Sequence, residues 1–482
     1  MHDTAKRFKR LANCKEYASD NLRSNGPTSS SLGRVRSNNQ DRNDEKMKRA
    51  DDLITQNDMY VGIFAAHPTQ QYIISRAVDS SNDIIYIWYF DRLNAIQCSH
   101  FNFIHDIPCF LLPYVVQRLP YAQWDHNSIF KLEPGKVIEV EDEEIGTIDL
   151  KFNFGSPDRT ARYGLCGRAT KVLPAESDTL LRLARRFPTR NKKVQLVAKL
   201  YWQDEPHQKE AERLKEVHKI TAEEPKVKDH VPDVIWSHTF KGASTVKIRR
   251  ASGTNDGQRG SRALYTIVFR KLRQITQLSG DNFLRAWWHA VDCYRILWQK
   301  GVRHRGISLS NLMFYFFRNS SGRDVVVGIL NDYDLSSLKK GPAGRERTGT
   351  VPFMAIDLLT KKALAGEVEH LYQHDAESFI WVLTWVSLRY YDGKLRSNDR
   401  PFDDWLTVDS NGCAEKKSFF LRNVQSEEQD VVEASAWHQN NWEMALSCLR
   451  ILYRDFPNSD EMGDETVFQN WLYAQAPSWL RQ

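Results

Sequence analysis

The chain has no apolar run that could cross a bilayer. Its longest, near Phe379–Leu388, stops well short of the ~20 residues a spanning helix needs. The opening residues, Met1-His2-Asp3-Thr4-Ala5-Lys6-Arg7, lack the apolar stretch of a secretory signal. The seven cysteines, at positions 14, 98, 109, 166, 293, 413 and 448, form no Cys-x-x-Cys pair and keep no regular spacing, so reduced thiols in an intracellular protein, cytoplasmic or nuclear, are expected. A surplus of one charge is lacking too, once the first 50 residues are set aside. That stretch holds 12 Lys and Arg against 6 Asp and Glu, which is the whole of the net charge of +6. These absences exclude a membrane-spanning or disulfide-stapled protein. They also leave the basic character to an N-terminal arm rather than to the fold.

What is present is a core-forming composition. The 482 residues are 41% hydrophobic and include 14 Trp, enough for two or three domains. Residues 1–55 read as a disordered basic arm, too poor in apolar side chains to fold alone. Its clusters Lys6-Arg7-Phe8-Lys9-Arg10 and Lys46-Met47-Lys48-Arg49 fit a solvated tail or, alternatively, a nuclear-import or nucleic-acid contact. Ile84–Phe90 is an aromatic, β-rich run, and Ile138 to Phe154 reads as a strand pair. Tyr163-Gly164-Leu165-Cys166-Gly167-Arg168-Ala169-Thr170-Lys171-Val172 is read as a hairpin that could also cover a phosphate. Glycine there would let backbone N–H groups approach an anion, and Gly167 is the one well placed.

Val194–Leu200 is an apolar strand interrupted by Lys199, and a lysine in such a strand is seldom there for packing. Gln208–Val217 reads as a helix with Glu210 and Glu212 ahead of Leu214, which sets its apolar face; both glutamates could equally be solvated. Residues 222–263 are polar and rich in Pro and Gly, like an insertion around a strand at Val231–Trp236. They include Arg249-Arg250-Ala251-Ser252, a basic-directed phosphoacceptor pattern that recurs by chance. Leu264–Leu272 reads as a strand. Asp281–Lys300 reads as a helix, since Phe283, Leu284, Trp287, Val291, Tyr294 and Trp298 follow its period and Gly301 closes it.

The densest chemical signal lies at 304–334. His304-Arg305-Gly306-Ile307-Ser308-Leu309-Ser310-Asn311 is followed by apolar runs Leu312–Phe317 and Val325–Leu330, split by the turn Asn319-Ser320-Ser321-Gly322, and then by Asn331-Asp332-Tyr333-Asp334. A hairpin there returns Asn311 and Asp332 to one point, where two oxygen ligands could converge on a hard cation. The spacing follows the protein-kinase pattern H-R-D-x-x-x-x-N and D-F-G. The acid of the triplet is missing: Gly306 stands where a kinase has the Asp that accepts the hydroxyl proton. Asp334 is the nearest substitute in sequence. Downstream, Arg347-Thr348-Gly349-Thr350 leads to Asp357. His374-Asp375-Ala376-Glu377-Ser378-Phe379 opens a helix with Asp375 placed to cap its N-terminus.

Taken in order, Trp88-Tyr89-Phe90-Asp91-Arg92, Gly167-Arg168-Ala169-Thr170, His304 to Ser308, Asp332-Tyr333-Asp334-Leu335, Arg347 to Thr350 and His374 to Phe379 resemble the fungal-type protein kinase family over roughly residues 58–460. The resemblance implies an α+β, two-lobed protein-kinase-like fold, with a β-rich N-lobe and a mainly helical C-lobe. It divides the chain into the arm at 1–55, a family-specific extension at 56–160, the N-lobe at 161–272 with its polar insertion at 222–263, and the C-lobe at 273–482. It also implies ATP and Mg²⁺ as cofactors and a protein Ser/Thr substrate. Gly167 and Val172 would lie in the phosphate loop, and Lys199 would hold the phosphates. Glu210, preferred over Glu212, would orient that lysine. Asn311 and Asp332 would be metal ligands, and Thr350 would sit beside the catalytic loop. The chain departs from the family at Gly306, for Asp, and at Ala169, for Gly. A pseudokinase is therefore the expected state. An active Ser/Thr kinase with another base, or a scaffold with nucleic-acid contact through the arm, are the alternatives.

Overall fold

A computed structural model describes the strand Lys15–Tyr17 and residues 72–79, 82–92, 95–102, 104–106, 137–158, 160–161, 168–185, 194–205, 208–246, 260–337, 349–426 and 433–481. The chain forms two compact units. One comprises Met1–Arg186, Gln195–Gln208 and Val234–Phe269; the other comprises Phe187–Val194, Lys209–Asp233 and Arg270–Gln482. Mixed helix and sheet in this proportion is the α+β, kinase-like architecture expected.

The first unit is built on two antiparallel sheets. In the smaller, the order is β1-β4-β3-β2, with β1 at Lys15–Tyr17, β2 at Tyr72–Asp79, β3 at Ile84–Asp91 and β4 at Ala95–Asn102. The aromatic run of the sequence is β3, whose residues from Ile87 to Asp91 are all buried. Strand β1 falls in the stretch expected to be without structure, and its Lys15 pairs with Gln97 of β4. The rest of the basic arm, with both its Lys/Arg clusters, lies outside the described residues.

The larger sheet has seven strands: β5 (Ile138–Asp142), β6 (Gly146–Phe152), β7 (Thr160–Ala161), β8 (Lys171–Glu176), β9 (Leu196–Asp204), β10 (Val234–Ser244) and β11 (Arg262–Arg270). The order is β10-β11-β9-β8-β6-β5, with β7 on β8. The strand pair expected at 138–154 is β5–β6, and through β6 it continues into the sheet that holds β8 and β9. The strand expected at Val231–Trp236 is displaced to Val234–Ser244. It is a full member of this sheet, paired to β11 over most of its length. Strand β9 is buried on both faces from Ala198 to Gln203, as a central strand with an apolar run must be. Helix α1 (Asp178–Ala184) follows β8 and is capped by Ser177, whose Oγ accepts the Leu180 N–H.

The second unit is mainly helical. It contains α2 (Glu210–Ala222), β12 (Arg273–Gln274), α3 (Gly280–Gln299), the β13–β14 hairpin (Leu312–Arg318 and Asp324–Leu330), α4 (Tyr372–Arg389), α5 (Ser410–Gln425) and α6 (Gln439–Asp455). Phe283, Leu284, Trp287, Val291, Tyr294 and Leu297 of α3 are almost entirely buried. Each such side chain contributes about 1.5–3 kcal/mol of transfer free energy. Strand β14 lies so close to α3 that a Cβ on Gly328 would come 2.0 Å from the Ala286 carbonyl oxygen, so only glycine permits the contact. Helix α4 is buried along all of its 18 residues, the mark of a helix at the centre of a core. Among the described residues no helix is long and apolar enough to cross a membrane.

Candidate active site

In the first unit, β7 and β8 run antiparallel, with Thr160 opposite Val172, and are joined through residues 162–170. Gly167 lies outside the described residues. Ala169 is described and has φ +45°, the left-handed region in which glycine is at ease and alanine is not. The position thus holds a glycine-like backbone although its residue is alanine. Val172 of β8 is directly opposite Lys199 of β9. The Lys199 side chain is buried, and its ammonium lies 5.2 Å from the centroid of the Tyr201 ring on the same face of the strand.

In the second unit, Glu210 is the first residue of α2 and is 1% exposed. Glu212 is exposed, and its carboxylate accepts the Lys209 N–H at 3.3 Å, capping its own helix. Burial therefore separates two glutamates that the sequence left nearly equal. Leu214 is fully buried, as its place on the apolar face required.

The β13–β14 hairpin brings the two ends of the 304–334 stretch together: the Asn331 N–H donates to the Asn311 carbonyl at 2.8 Å. The Asn311 amide donates to the Gly306 carbonyl at 2.7 Å, and its Oδ1 accepts from the Ser310 hydroxyl at 3.3 Å. Asp332 has φ +67° and is half-buried. An amide oxygen and a carboxylate are donor types that Mg²⁺ takes when phosphates supply the remaining ligands. These two residues fit that ion.

His304 is completely buried, and burial pushes its imidazole below the ordinary histidine range. Its Nε2 lies 3.0 Å from the Asn331 carbonyl, so a neutral ring carries its proton there. Its Nδ1 has no hydrogen-bond partner. A Cβ built on Gly306 would lie 3.6 Å from that Nδ1 and 3.7 Å from Asn311 Nδ2, ordinary contact distances. Gly306 is not among the glycines with positive φ. The backbone at 306 would therefore accept a Cβ.

Two expectations are corrected. Asp334, the nearest substitute for the missing acid, is buried and ion-paired with Arg213 of α2, 3.7 Å from its guanidinium, and its backbone carbonyl also accepts from Arg213. A carboxylate held in this way is poorly placed to take a proton from a substrate. Asp375 does not cap α4, whose N-cap is Leu371. Instead its Oδ2 accepts from the Tyr294 hydroxyl of α3 and lies 2.9 Å from His370 Nε2. Burial acts to raise the Asp375 carboxyl, but His370 and the Tyr294 hydroxyl outweigh it and hold the group below the usual range. Thr350 is exposed and precedes the turn Val351–Phe353.

Sequence reasoning missed Arg213 and the charged pair behind residues 354–356. The carboxylate of Glu377 accepts the Ile356 N–H at 2.9 Å, and the Lys417 ammonium donates to the Met354 carbonyl. A glutamate two residues ahead of the apolar run Phe379–Leu388 was the one available signal.

Residues 29–252 and 258–387 match the profile of the fungal protein kinases. The chain belongs to the fungal protein kinase family. The family match takes in every candidate residue from Gly167 to Asp332. It begins inside the stretch expected to be a free arm. No curated protein matches the chain at a significant level.

Proposed function

We propose that this fungal protein kinase family member binds Mg-ATP and transfers phosphate weakly or not at all. Asn311 and Asp332 would hold the metal, Lys199 the phosphates, and Glu210 would orient Lys199. The metal-bound nucleotide would supply the phosphoryl group and the charge neutralisation of transfer. The single observation that supports the reading is the backbone bond from the Asn331 N–H to the Asn311 carbonyl, which brings the chain next to Asp332 back to Asn311.

The same loop offers no carboxylate for the incoming hydroxyl. Gly306 has no side chain, and Asp334 is held by Arg213. A general base contributes ~10²–10⁴-fold, against a usual kinase turnover of ~1–100 per second, so residual transfer on the order of 10⁻⁴ to 1 per second follows. The absent acid also positions the hydroxyl, which favours the low end.

Two measurements test this. A thermal-shift titration with Mg-ATP should stabilise the wild type by about 2.7 kcal/mol at a hundredfold excess over Kd. Lys199→Ala and Asp332→Ala should lose that shift. A radiolabelled ATP transfer assay on wild type and Gly306→Asp should show activity only after the substitution, whose Cβ would meet its neighbours at ordinary contact distances. Equal activity in both would establish a working Ser/Thr kinase instead.

A further inference from the structure

We propose that Arg92, at the end of β3, is a positioning residue for β9, the strand that carries Lys199. The smaller N-terminal sheet is then a working part of the lysine-bearing lobe and not an appendage to it. The proposal rests on the nucleotide reading above only where it predicts an affinity.

Asp91 is 0% exposed and Arg92 is 1% exposed. Charged side chains this deep do not serve solubility; they persist where partners replace the lost water. The Arg92 guanidinium lies 5.8 Å from the centroid of the Trp202 ring of β9, and Trp202 is itself fully buried. A cation–aromatic contact strengthens when water is excluded. The Arg92 backbone carbonyl accepts from Arg262 Nη1 at 2.9 Å. The same Arg262 ion-pairs through Nε with Asp204 Oδ1 at 2.7 Å. Asp204 is the last residue of β9, and Arg262 is the first of β11. The Tyr89 hydroxyl donates to Asp91 Oδ2 at 3.2 Å and fixes the corner from its own strand.

Strand alternation gives these contacts their consequence. Trp202 and Asp204 occupy one face of β9, and Lys199 and Tyr201 occupy the other. Arg92 and Arg262 therefore load the back of the strand whose front presents the lysine. The far end of that front is set by pairing, with Val172 opposite Lys199. Movement of the back shifts the pleat, and with it the direction in which Lys199 points.

The experiment uses full-length protein with Arg92→Met, Arg92→Lys and Arg262→Gln. Hydrogen exchange is followed at residues 196–204, with β13–β14 as internal control, and Mg-ADP affinity is measured by calorimetry. In Arg92→Met the 196–204 amides should exchange about tenfold faster and the Mg-ADP Kd should rise by a similar factor, as loss of one desolvated cation–aromatic contact implies. Arg92→Lys, which keeps a cation over Trp202, should recover most of both. The control hairpin should not change. Wild-type exchange and affinity in folded Arg92→Met would overturn the proposal. So would exchange that rises uniformly over 138–270 at unchanged affinity, since that marks an ordinary core residue. Should Arg92→Met not fold, Arg262→Gln decides by the same two readouts. A wild type that binds no Mg-ADP at all would remove the nucleotide reading, and the exchange measurement would still decide whether Arg92 sets β9.

Discussion

Lys417 of α5 and Glu377 of α4 offer the sharpest test of the reasoning, because both are buried and both hold the same three residues of chain. Glu377 accepts the Ile356 N–H and, at 2.8 Å, the Trp381 indole N–H. Lys417 donates to the Met354 carbonyl and lies 4.7 Å from the Trp381 ring centroid. Burial pushes the Glu377 carboxyl up and the Lys417 ammonium down, and each opposes the shift in the other. Replacing Lys417 by Met leaves Glu377 buried without its counter-charge, a loss of ~3 kcal/mol on the scale of broken buried pairs. Glu377→Gln strands the lysine and should cost a similar amount.

The double variant Glu377→Gln/Lys417→Met removes both buried charges and should lie within about 1 kcal/mol of wild type. Urea unfolding at pH 7 measures all three. The pH dependence adds a sign. A carboxyl raised in the folded state stabilises below its unfolded pKa, and that stability is lost as pH rises through the folded value. Without Lys417 the folded value climbs further, so Lys417→Met should lose stability over a longer rise in pH than wild type. Single losses that simply add in the double variant would refute the coupling.

Further outcomes follow from single positions. Ala169→Gly should raise stability by about 1 kcal/mol, as relief at φ +45° exceeds the added backbone entropy; thermal unfolding measures it. Tyr333 is completely buried and its hydroxyl has no hydrogen-bond partner, so Tyr333→Phe should be neutral or stabilising by up to about 1 kcal/mol in the same assay. His289 is pushed down to about 3, first by burial and then by His230 nearby. The folded form therefore keeps it neutral: its stability is complete above pH ~6.5 and falls, by at most ~1.4 kcal/mol per pH unit, as pH drops toward that value. His289→Gln should flatten the urea midpoint across this window.

Local pattern carried far in this chain. The α3 helix was expected at 281–300 and occupies Gly280–Gln299, with Gly301 at φ +88° just past its end. The runs Leu312–Phe317 and Val325–Leu330 pair residue for residue across the Asn319–Gly322 turn. Both depend on periodicity and turn chemistry within some 20 residues, which is information a sequence holds directly. The α2 helix shows the limit of this. Its start was legible, but its C-terminal extension to Ala222 was hidden by Thr221 and the following glutamates, which look polar until Thr221 is found buried.

What the chain alone determined is therefore its kinase pattern, its segment types and the missing acid at 306. Which charges work was decided only by tertiary structure. Arg213 meets Asp334 across 121 positions, Tyr294 meets Asp375 across 81, and Arg92 reaches Arg262 across 170. A carboxylate's role depends on what surrounds it after burial, through desolvation and partners brought from far along the chain. No local spacing records that.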